Sequence, residues 1–192
     1  VSDKYAEPLN GVDRYAVVGN PIEHSKSPLI HHAFALQTGQ DIEYSRVLAP
    51  LDGFAMTVQF MRETGFKGAN VTVPFKLEAF HLANQLTERA HDAGAVNTLM
   101  FNGDRIVGDN TDGVGLVRDI EQNLGIRFEQ KRVLLIGAGG AAEGVLHLVL
   151  EQYPQLLVIA NRSLDKALKM VKKVEDQGEY RYVSVNAYAF DD

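Results

Sequence analysis

Asn70, Thr72 and Lys76 stand close together in the stretch GANVTVPFK (68–76), where the β-branched run Val71-Thr72-Val73 stops at Pro74. Residues two apart in a strand share a face, so Asn70 and Thr72 point the same way. A lysine within hydrogen-bond reach of a reacting oxygen can exchange a proton with it. A second polar group lies in HSKSP (24–28), where Ser25 and Ser27 offer two hydroxyls at the start of a helix. The first N–H groups of a helix lack intrahelical partners, so this combination suits a carboxylate or a phosphate. A plain Ser27 cap is the simpler alternative. The third group is GDNTDG (108–113), again before a helix. Asp112 there is either an acidic residue favoured by the helix dipole or a proton-exchanging group. Calcium is excluded at this loop, because Gly108 occupies the first ligand position, where an EF-hand needs Asp. Asn97, after Ala95-Val96, could read a hydroxyl. The six histidines show no H-E-x-x-H spacing, and the adjacent His31 and His32 point apart on a helix, so no metal site is expected.

GAGGAA (137–142) fits G-x-G-x-x-A, with Gly137, Gly139 and Ala142 at the marked positions. That pattern allows a tight turn off a strand, close backbone approach to a pyrophosphate, and tight helix–strand contact. The apolar run RVLLIG (132–137) before it and the helical pattern after it supply the required context. The next apolar run, LLVIA (156–160), ends in Asn161-Arg162-Ser163, with Lys166 one helical turn on. A site for NAD usually carries Asp or Glu there to hold the ribose 2′-hydroxyl. An amide, a guanidinium, a hydroxyl and an ammonium instead suit a 2′-phosphate, which favours NADP. Asp165 offsets part of that field, and a capped helix with a solvated basic face remains the structural alternative. Hydride transfer at a hydroxyl-bearing carbon also moves a proton, which Lys76 or Asp112 could carry.

The elements that must position these groups follow from periodicity and punctuation. Strands are expected at 14–19, 42–48, 67–73, 96–101, 105–107, 132–137, 156–160 and, weakly, 180–185. Helices are expected from Pro28 to Thr38 with Ser27 as N-cap, from Asp52 as cap to Glu63, from Phe75 to Leu86, from Thr111 to Leu124, from the glycine loop to Gln152, and after Ser163. Asn102-Gly103 reads as a hairpin turn. Strand–helix alternation predicts an α/β fold with a mainly parallel sheet in the first half. A Rossmann-type dinucleotide domain follows it. We expect residues 1–112 to form the substrate-binding domain and residues 113–192 an incomplete dinucleotide-binding domain. Such a domain normally has about six strands, and a half sheet exposes an edge and an apolar face.

Composition narrows the classes. The 192 residues are 45% hydrophobic and 23% charged, with a net charge of −6 and no cysteine. An acidic chain is a poor phosphate-backbone binder, so nucleic acid is not an expected partner. Without cysteine there is no disulfide, thiolate metal site or cysteine nucleophile. No apolar run approaches the ~20 residues of a membrane span, and no signal peptide is visible. The expected compartment is the cytoplasm, the expected partner a small molecule, and the assembly a monomer or homodimer.

HSKSP, NVTVPFK (70–76), GAVNT (94–98), GDNTDG, GAGGAA and NRS (161–163), in this order, resemble the shikimate dehydrogenase family. These are NADP-dependent enzymes of aromatic amino-acid biosynthesis, and the resemblance spans nearly the whole chain. It implies reversible oxidation of shikimate to 3-dehydroshikimate. It also implies that Ser25 and Ser27 bind the ring carboxylate, while Thr72, Asn97 and Asp112 bind ring hydroxyls. Asn70 is a further substrate-side residue that orients Lys76. Lys76 and Asp112 become the catalytic pair, Lys76 exchanging the proton and Asp112 polarising. Gly137, Ala138, Gly139, Gly140 and Ala141 carry over to the pyrophosphate loop, and Asn161, Arg162, Ser163 and Lys166 to the 2′-phosphate site. Glu88 matches a cofactor-linked position. Lys166 stands where the family commonly has arginine, and the family's later segments, with a tyrosine and a glutamine of the active site, lie beyond residue 192. An NAD-preferring quinate/shikimate dehydrogenase and a non-catalytic ligand-binding module are the alternatives.

Overall fold

Ala16, Val17 and Val18 need burial on both faces of an extended segment, and the strand they form organises the first half of the chain. In the computed structural model, which describes residues 11–178 and 180–191, the chain divides into two compact units. One holds the described residues up to His91 together with Ala95–Asp109, and the other holds Asp92–Gly94 and the residues from Asn110 on.

The first unit is a six-stranded sheet made of β1 (Asp13–Gly19), β2 (Ile42–Leu48), β3 (Phe66–Val71), β4 (Gln85–Leu86), β5 (Thr98–Asn102) and β6 (Arg105–Asp109). Their spatial order is β2-β1-β3-β5-β6-β4. β1 runs parallel to both β2 and β3, and β4 is parallel to β6. β5 is antiparallel to β3 and to β6, so the sheet is parallel-rich with one reversed strand set by the hairpin. Helices α1 (Ser27–Thr38), α2 (Phe54–Glu63), α3 (Lys76–Leu82) and α4 (Glu88–Ala93) connect the strands. The core gathers Val18, Val47, Phe54, Val58, Met61, Val71, Phe75, Val96 and Leu99. The Phe54 and Phe75 rings stack with centroids 4.9 Å apart, which fastens α2 to the turn before α3.

Several expected boundaries move, each for a local reason. Lys26 rather than Ser27 is the N-cap of α1, with no side-chain cap; instead the Ser27 N–H donates to Ser25 Oγ at 3.3 Å. Gly53, not Asp52, precedes α2, because the turn closed by Gly53 N–H on the Pro50 carbonyl at 3.0 Å takes up Asp52. The helix expected to reach Leu86 ends at Leu82. Asn84 there pairs with the sheet, its N–H donating to the Ile106 carbonyl at 3.0 Å and its Oδ1 accepting from Ile106 N–H at 2.8 Å. Edge pairing overrides helix propensity at that point, and Gln85–Leu86 becomes β4. In the hairpin Asn102 pairs with Arg105, so the turn residues are Gly103 and Asp104, with Gly103 at φ 57.

The second unit carries a parallel three-stranded sheet, β7 (Arg132–Ile136), β8 (Leu156–Ala160) and β9 (Ser184–Tyr188), in the order β7-β8-β9. Helix α5 (Asp112–Arg118) continues into a π turn at Asp119–Asn123, which breaks the regular helix expected there before Gly125 at φ 68. α6 (Gly140–Leu150) and α7 (Leu164–Gln177) pack with Leu146, Leu150, Leu157, Ile159 and Met170 buried between them and the sheet. The last strand begins four residues beyond the expected start, after a turn in which Val183 N–H reaches the Tyr180 carbonyl at 2.9 Å. β7 is not buried on both faces as its apolar run suggests: Leu134 is 59% and Ile136 71% exposed. Among the described residues no helix is long and apolar enough to cross a membrane.

Candidate active site

The serine pair sits where the chain leaves β1 and enters α1. Ser25 Oγ donates to Ser27 Oγ at 3.1 Å. The Arg46 guanidinium donates to the Ser25 carbonyl through Nε at 2.9 Å and Nη2 at 2.6 Å, bringing a positive charge to this loop. His31, one turn into α1, lies with Nδ1 2.9 Å from the Ser27 carbonyl. Its ring stacks on Tyr44 at 3.9 Å and 11°.

From Tyr44 a run of hydrogen bonds crosses the sheet. Its hydroxyl donates to Asn70 Oδ1 at 2.6 Å, Asn70 Nδ2 donates to Thr98 Oγ1 at 3.2 Å, and Thr98 Oγ1 donates to Asn97 Oδ1 at 2.8 Å. Burial pushes the Tyr44 phenol well above its ordinary value, with the Ser27 hydroxyl partly opposing, so it is a neutral donor across the physiological range. Tyr44 and Thr98, which the sequence reading did not single out, thus join Asn70 and Asn97 in one network, and His31 sets the Ser25–Ser27 pair beside its Tyr44 end. Tyr44, Asn70, Thr98 and His31 also line a cavity of about 310 Å³ with Lys67 and Met100.

Asn97 is 8% exposed, and its backbone is clamped on both sides. Its carbonyl accepts from Val71 N–H at 2.7 Å and its N–H donates to the Asp109 carbonyl at 3.0 Å. The Asp109 carboxylate, itself 6% exposed, receives Thr87 Oγ1 at 2.7 Å and Arg89 Nε at 2.7 Å, with a second guanidinium nitrogen on its other oxygen. Charge-assisted bidentate pairing of this kind fixes geometry strongly, and it ties α4 to the end of β6. Thr72 follows β3, its N–H donating to the Val18 carbonyl at 2.9 Å. Gly19 opposite it has no Cβ, and one built there would lie 2.6 Å from Thr72 Cγ2. Lys76 opens α3 and is half-buried, with its carbonyl accepting from Val96 N–H at 2.9 Å. Glu88 is the exposed first residue of α4.

Asp112 belongs to the second unit. It is the first residue of α5, and its N–H donates to Asn110 Oδ1 at 3.1 Å. Two glycines let α5 lie against α6. A Cβ on Gly113 would meet the Gly144 carbonyl at 2.8 Å and Leu148 Cβ at 2.9 Å, and one on Gly144 would meet Asn110 Nδ2 at 3.2 Å and Asp112 Oδ2 at 3.3 Å. The position of Asp112 is therefore set by close helix packing as well as by its own turn.

At the glycine loop, Gly137 has φ 109, a conformation only glycine adopts without strain, and its N–H donates to the Ala160 carbonyl at 2.8 Å. Among the described residues no atom lies within 4 Å of a Cβ built at Gly137, Gly139 or Gly140. α6 starts behind Gly139 with no side-chain cap. Open space, exposed N–H groups and the positive end of a helix fit a pyrophosphate; Ala138 and Ala141 complete the loop. Asn161 turns back on itself, Nδ2 donating to the Ser163 carbonyl at 2.8 Å, while Arg162, Ser163 and Lys166 are exposed. Ser163 is at the N-cap of α7 without a side-chain cap bond. Lys166 lines a cavity of about 400 Å³ with Ala138, Glu143 and Lys169. Among the described residues no cluster of His, Asp and Glu is arranged to hold a metal ion.

Two family models match the chain, one described as "Shikimate dehydrogenase substrate binding domain" over residues 17–99 and one as "Shikimate / quinate 5-dehydrogenase" over residues 118–189. A shikimate dehydrogenase (NADP(+)) of Methylobacillus flagellatus is 64% identical over 85% of this chain and 60% of that protein. The chain is also similar to the crystal structure of an Ael1 enzyme from Pseudomonas putida, with 47% identity and a TM-score of 0.83 over 93% of this chain and 64% of the other. A shikimate 5-dehydrogenase of Thermus thermophilus, solved with NADP(H) and shikimate, superposes with a TM-score of 0.81 at 28% identity, over 92% of this chain and 63% of that one. The chain thus spans about 60% of the length of the curated relative from Methylobacillus.

Proposed function

The chain belongs to the shikimate dehydrogenase family, and from that premise we propose that the whole protein is a cytoplasmic, NADP-dependent oxidoreductase interconverting shikimate and 3-dehydroshikimate. The observation that carries this reading is the hydrogen-bonded run from Tyr44 through Asn70 and Thr98 to Asn97, with the Ser25–Ser27 pair set beside its Tyr44 end by His31. It sets a hydroxyl pair suited to a carboxylate at one end and an amide suited to a ring hydroxyl at the other. A small acid bearing several hydroxyls matches that sequence of groups. Thr72 and Asp112 would take further hydroxyls.

Lys76 accepts the proton of the hydroxyl being oxidised, and returns it in the reverse direction. Asp112 polarises the same hydroxyl. The nicotinamide cofactor supplies the hydride acceptor. Gly137 to Ala141 hold its pyrophosphate by backbone N–H groups. Asn161, Arg162, Ser163 and Lys166 take the 2′-phosphate, since no carboxylate stands at the end of β8 to repel it. Glu88 is assigned to the cofactor side on the family pattern alone. We assign residues 1–112 to substrate binding and residues 113–192 to the dinucleotide domain, and we take the assembly to be a monomer or homodimer.

The test is a nicotinamide absorbance assay on full-length protein verified by intact mass, with shikimate or quinate and either NADP or NAD. Turnover of shikimate with NADP is expected. Intact protein that turns over neither acid with either cofactor overturns the proposal.

A further inference from the structure

We propose that Tyr44 and Thr98 are positioning residues, forming with Asn70 a one-directional relay that orients the Asn97 amide and links that orientation to the serine pair. The relay rests on the substrate reading above for its functional consequence, and on hydrogen-bond accounting for its existence.

A hydroxyl carries a single proton, while a carboxamide offers a carbonyl on one side and an NH2 on the other. Thr98 spends its proton on Asn97 Oδ1 at 2.8 Å, so toward Asn70 it acts as an acceptor. That fixes the Asn70 amide with its nitrogen toward Thr98, at 3.2 Å. The Asn70 oxygen then faces the Tyr44 hydroxyl, which donates to it at 2.6 Å. The three choices are mutually consistent only with the Asn97 carbonyl toward Thr98 and its nitrogen away from it. In that state Asn97 meets a ligand hydroxyl as a donor.

The phenol is held in place by its neighbours. The His31 ring stacks on it at 3.9 Å, and His31 Nδ1 is engaged with the Ser27 carbonyl at 2.9 Å. A phenol kept neutral by burial retains the proton it gives to Asn70. Without the Tyr44 hydroxyl only the Thr98 contact holds the Asn70 amide in this sense. If it flips, Thr98 donates to Asn70 instead, and the Asn97 carbonyl loses its Thr98 donor. The effect therefore travels beyond the residue Tyr44 touches.

Full-length Tyr44→Phe and Thr98→Val are each expected to raise KM for shikimate about tenfold, the scale of one or two net hydrogen bonds. Their kcat and KM for NADP should stay close to wild type, while the melting temperature falls by a few degrees, as expected from loss of one part-buried hydrogen-bonding group. Because both cut the same relay, the double variant should be no worse than the poorer single one. Thr98→Ser, which keeps the hydroxyl, should restore the wild-type KM. Independently of any substrate, the Asn97 side-chain NH2 resonance of the ligand-free protein, assigned with Asn97→Asp, should shift in Tyr44→Phe. Single-variant effects that multiply to about a hundredfold, or an Asn97 resonance unmoved in Tyr44→Phe, overturn the relay. Should wild-type protein fail to turn over shikimate, the substrate reading falls while the resonance shift still decides the relay.

Discussion

Gly144→Ala adds one methyl group to α6, and its consequences separate stability from catalysis. The new Cβ would lie 3.2 Å from Asn110 Nδ2, 3.3 Å from Asp112 Oδ2 and 3.4 Å from Asn110 Oδ1. Those distances are tight enough that the neighbours must yield by about 0.3 Å, the gap between 3.3 Å and an ordinary carbon–oxygen contact. Alanine in a helix interior is favoured over glycine by about 1 kcal/mol, and crowding two polar side chains costs a similar amount, within the usual overpacking range of roughly 1–3 kcal/mol. The melting temperature should therefore move by less than about 4 °C, the shift that ~1 kcal/mol produces in a domain of this size. Asp112 moves with Asn110, because its N–H is bonded to Asn110 Oδ1 at 3.1 Å. A displacement of ~1 Å at a reacting group can cost about a hundredfold in rate, so one of ~0.3 Å should lower kcat about fivefold. Steady-state NADP reduction by the full-length protein, with a thermal melt on the same sample, reads both quantities. A variant that melts several degrees higher with undiminished kcat would refute the argument, either because Asp112 is not held by this contact or because it is outside the mechanism.

Lys76→Ala should lower turnover by about a hundredfold or more while sparing shikimate binding, since positioned acid–base groups contribute on that scale; rapid kinetics with equilibrium binding separates the two. Asp109→Asn removes the charge that Arg89 and Thr87 share and should destabilise the first unit by about 1–3 kcal/mol, read as a lower urea midpoint. His147, 4% exposed on α6, has its pKa lowered from 6.5 by burial and by the Lys173 ammonium, with Asp92 opposing. Folding therefore favours its neutral form, and its Nε2 is buried without a hydrogen-bond partner among the described residues. The unfolded chain therefore binds the extra proton first, and stability should fall as pH drops below 6.5 toward the folded pKa. His147→Leu should flatten that part of the pH–melting curve, and an unchanged slope would remove His147 as its source.

The groups proposed to do chemistry were legible where their signal is local. Ser25 and Ser27 declare themselves by spacing at a helix start, and the glycine loop by punctuation between a strand and a helix. Tyr44 and Thr98 gave no such signal. Within IEYSRVL and TLMFN they are ordinary strand residues, and each finds its meaning in Asn70, 26 and 28 positions away. Gly113 read locally as a glycine of the GDNTDG loop, and Gly144 drew no reading at all, yet both serve the close approach of α5 and α6. The helix expected through Leu86 failed for the same kind of reason, since the edge of β6 offered Asn84 better partners than another helical turn.

By itself, then, the sequence determined the alternation of strands and helices, the glycine that must take φ 109 at position 137, and the placing of hydroxyl, amide and ammonium groups at strand ends and helix starts. These depend on backbone sterics and on partners a few residues away. Which hydroxyl donates to which amide, which carboxylate holds which guanidinium, and where Asp112 rests were decided only by the tertiary structure. A buried polar group is satisfied by whatever the fold brings within about 3 Å of it, and that neighbour is seldom nearby in the chain.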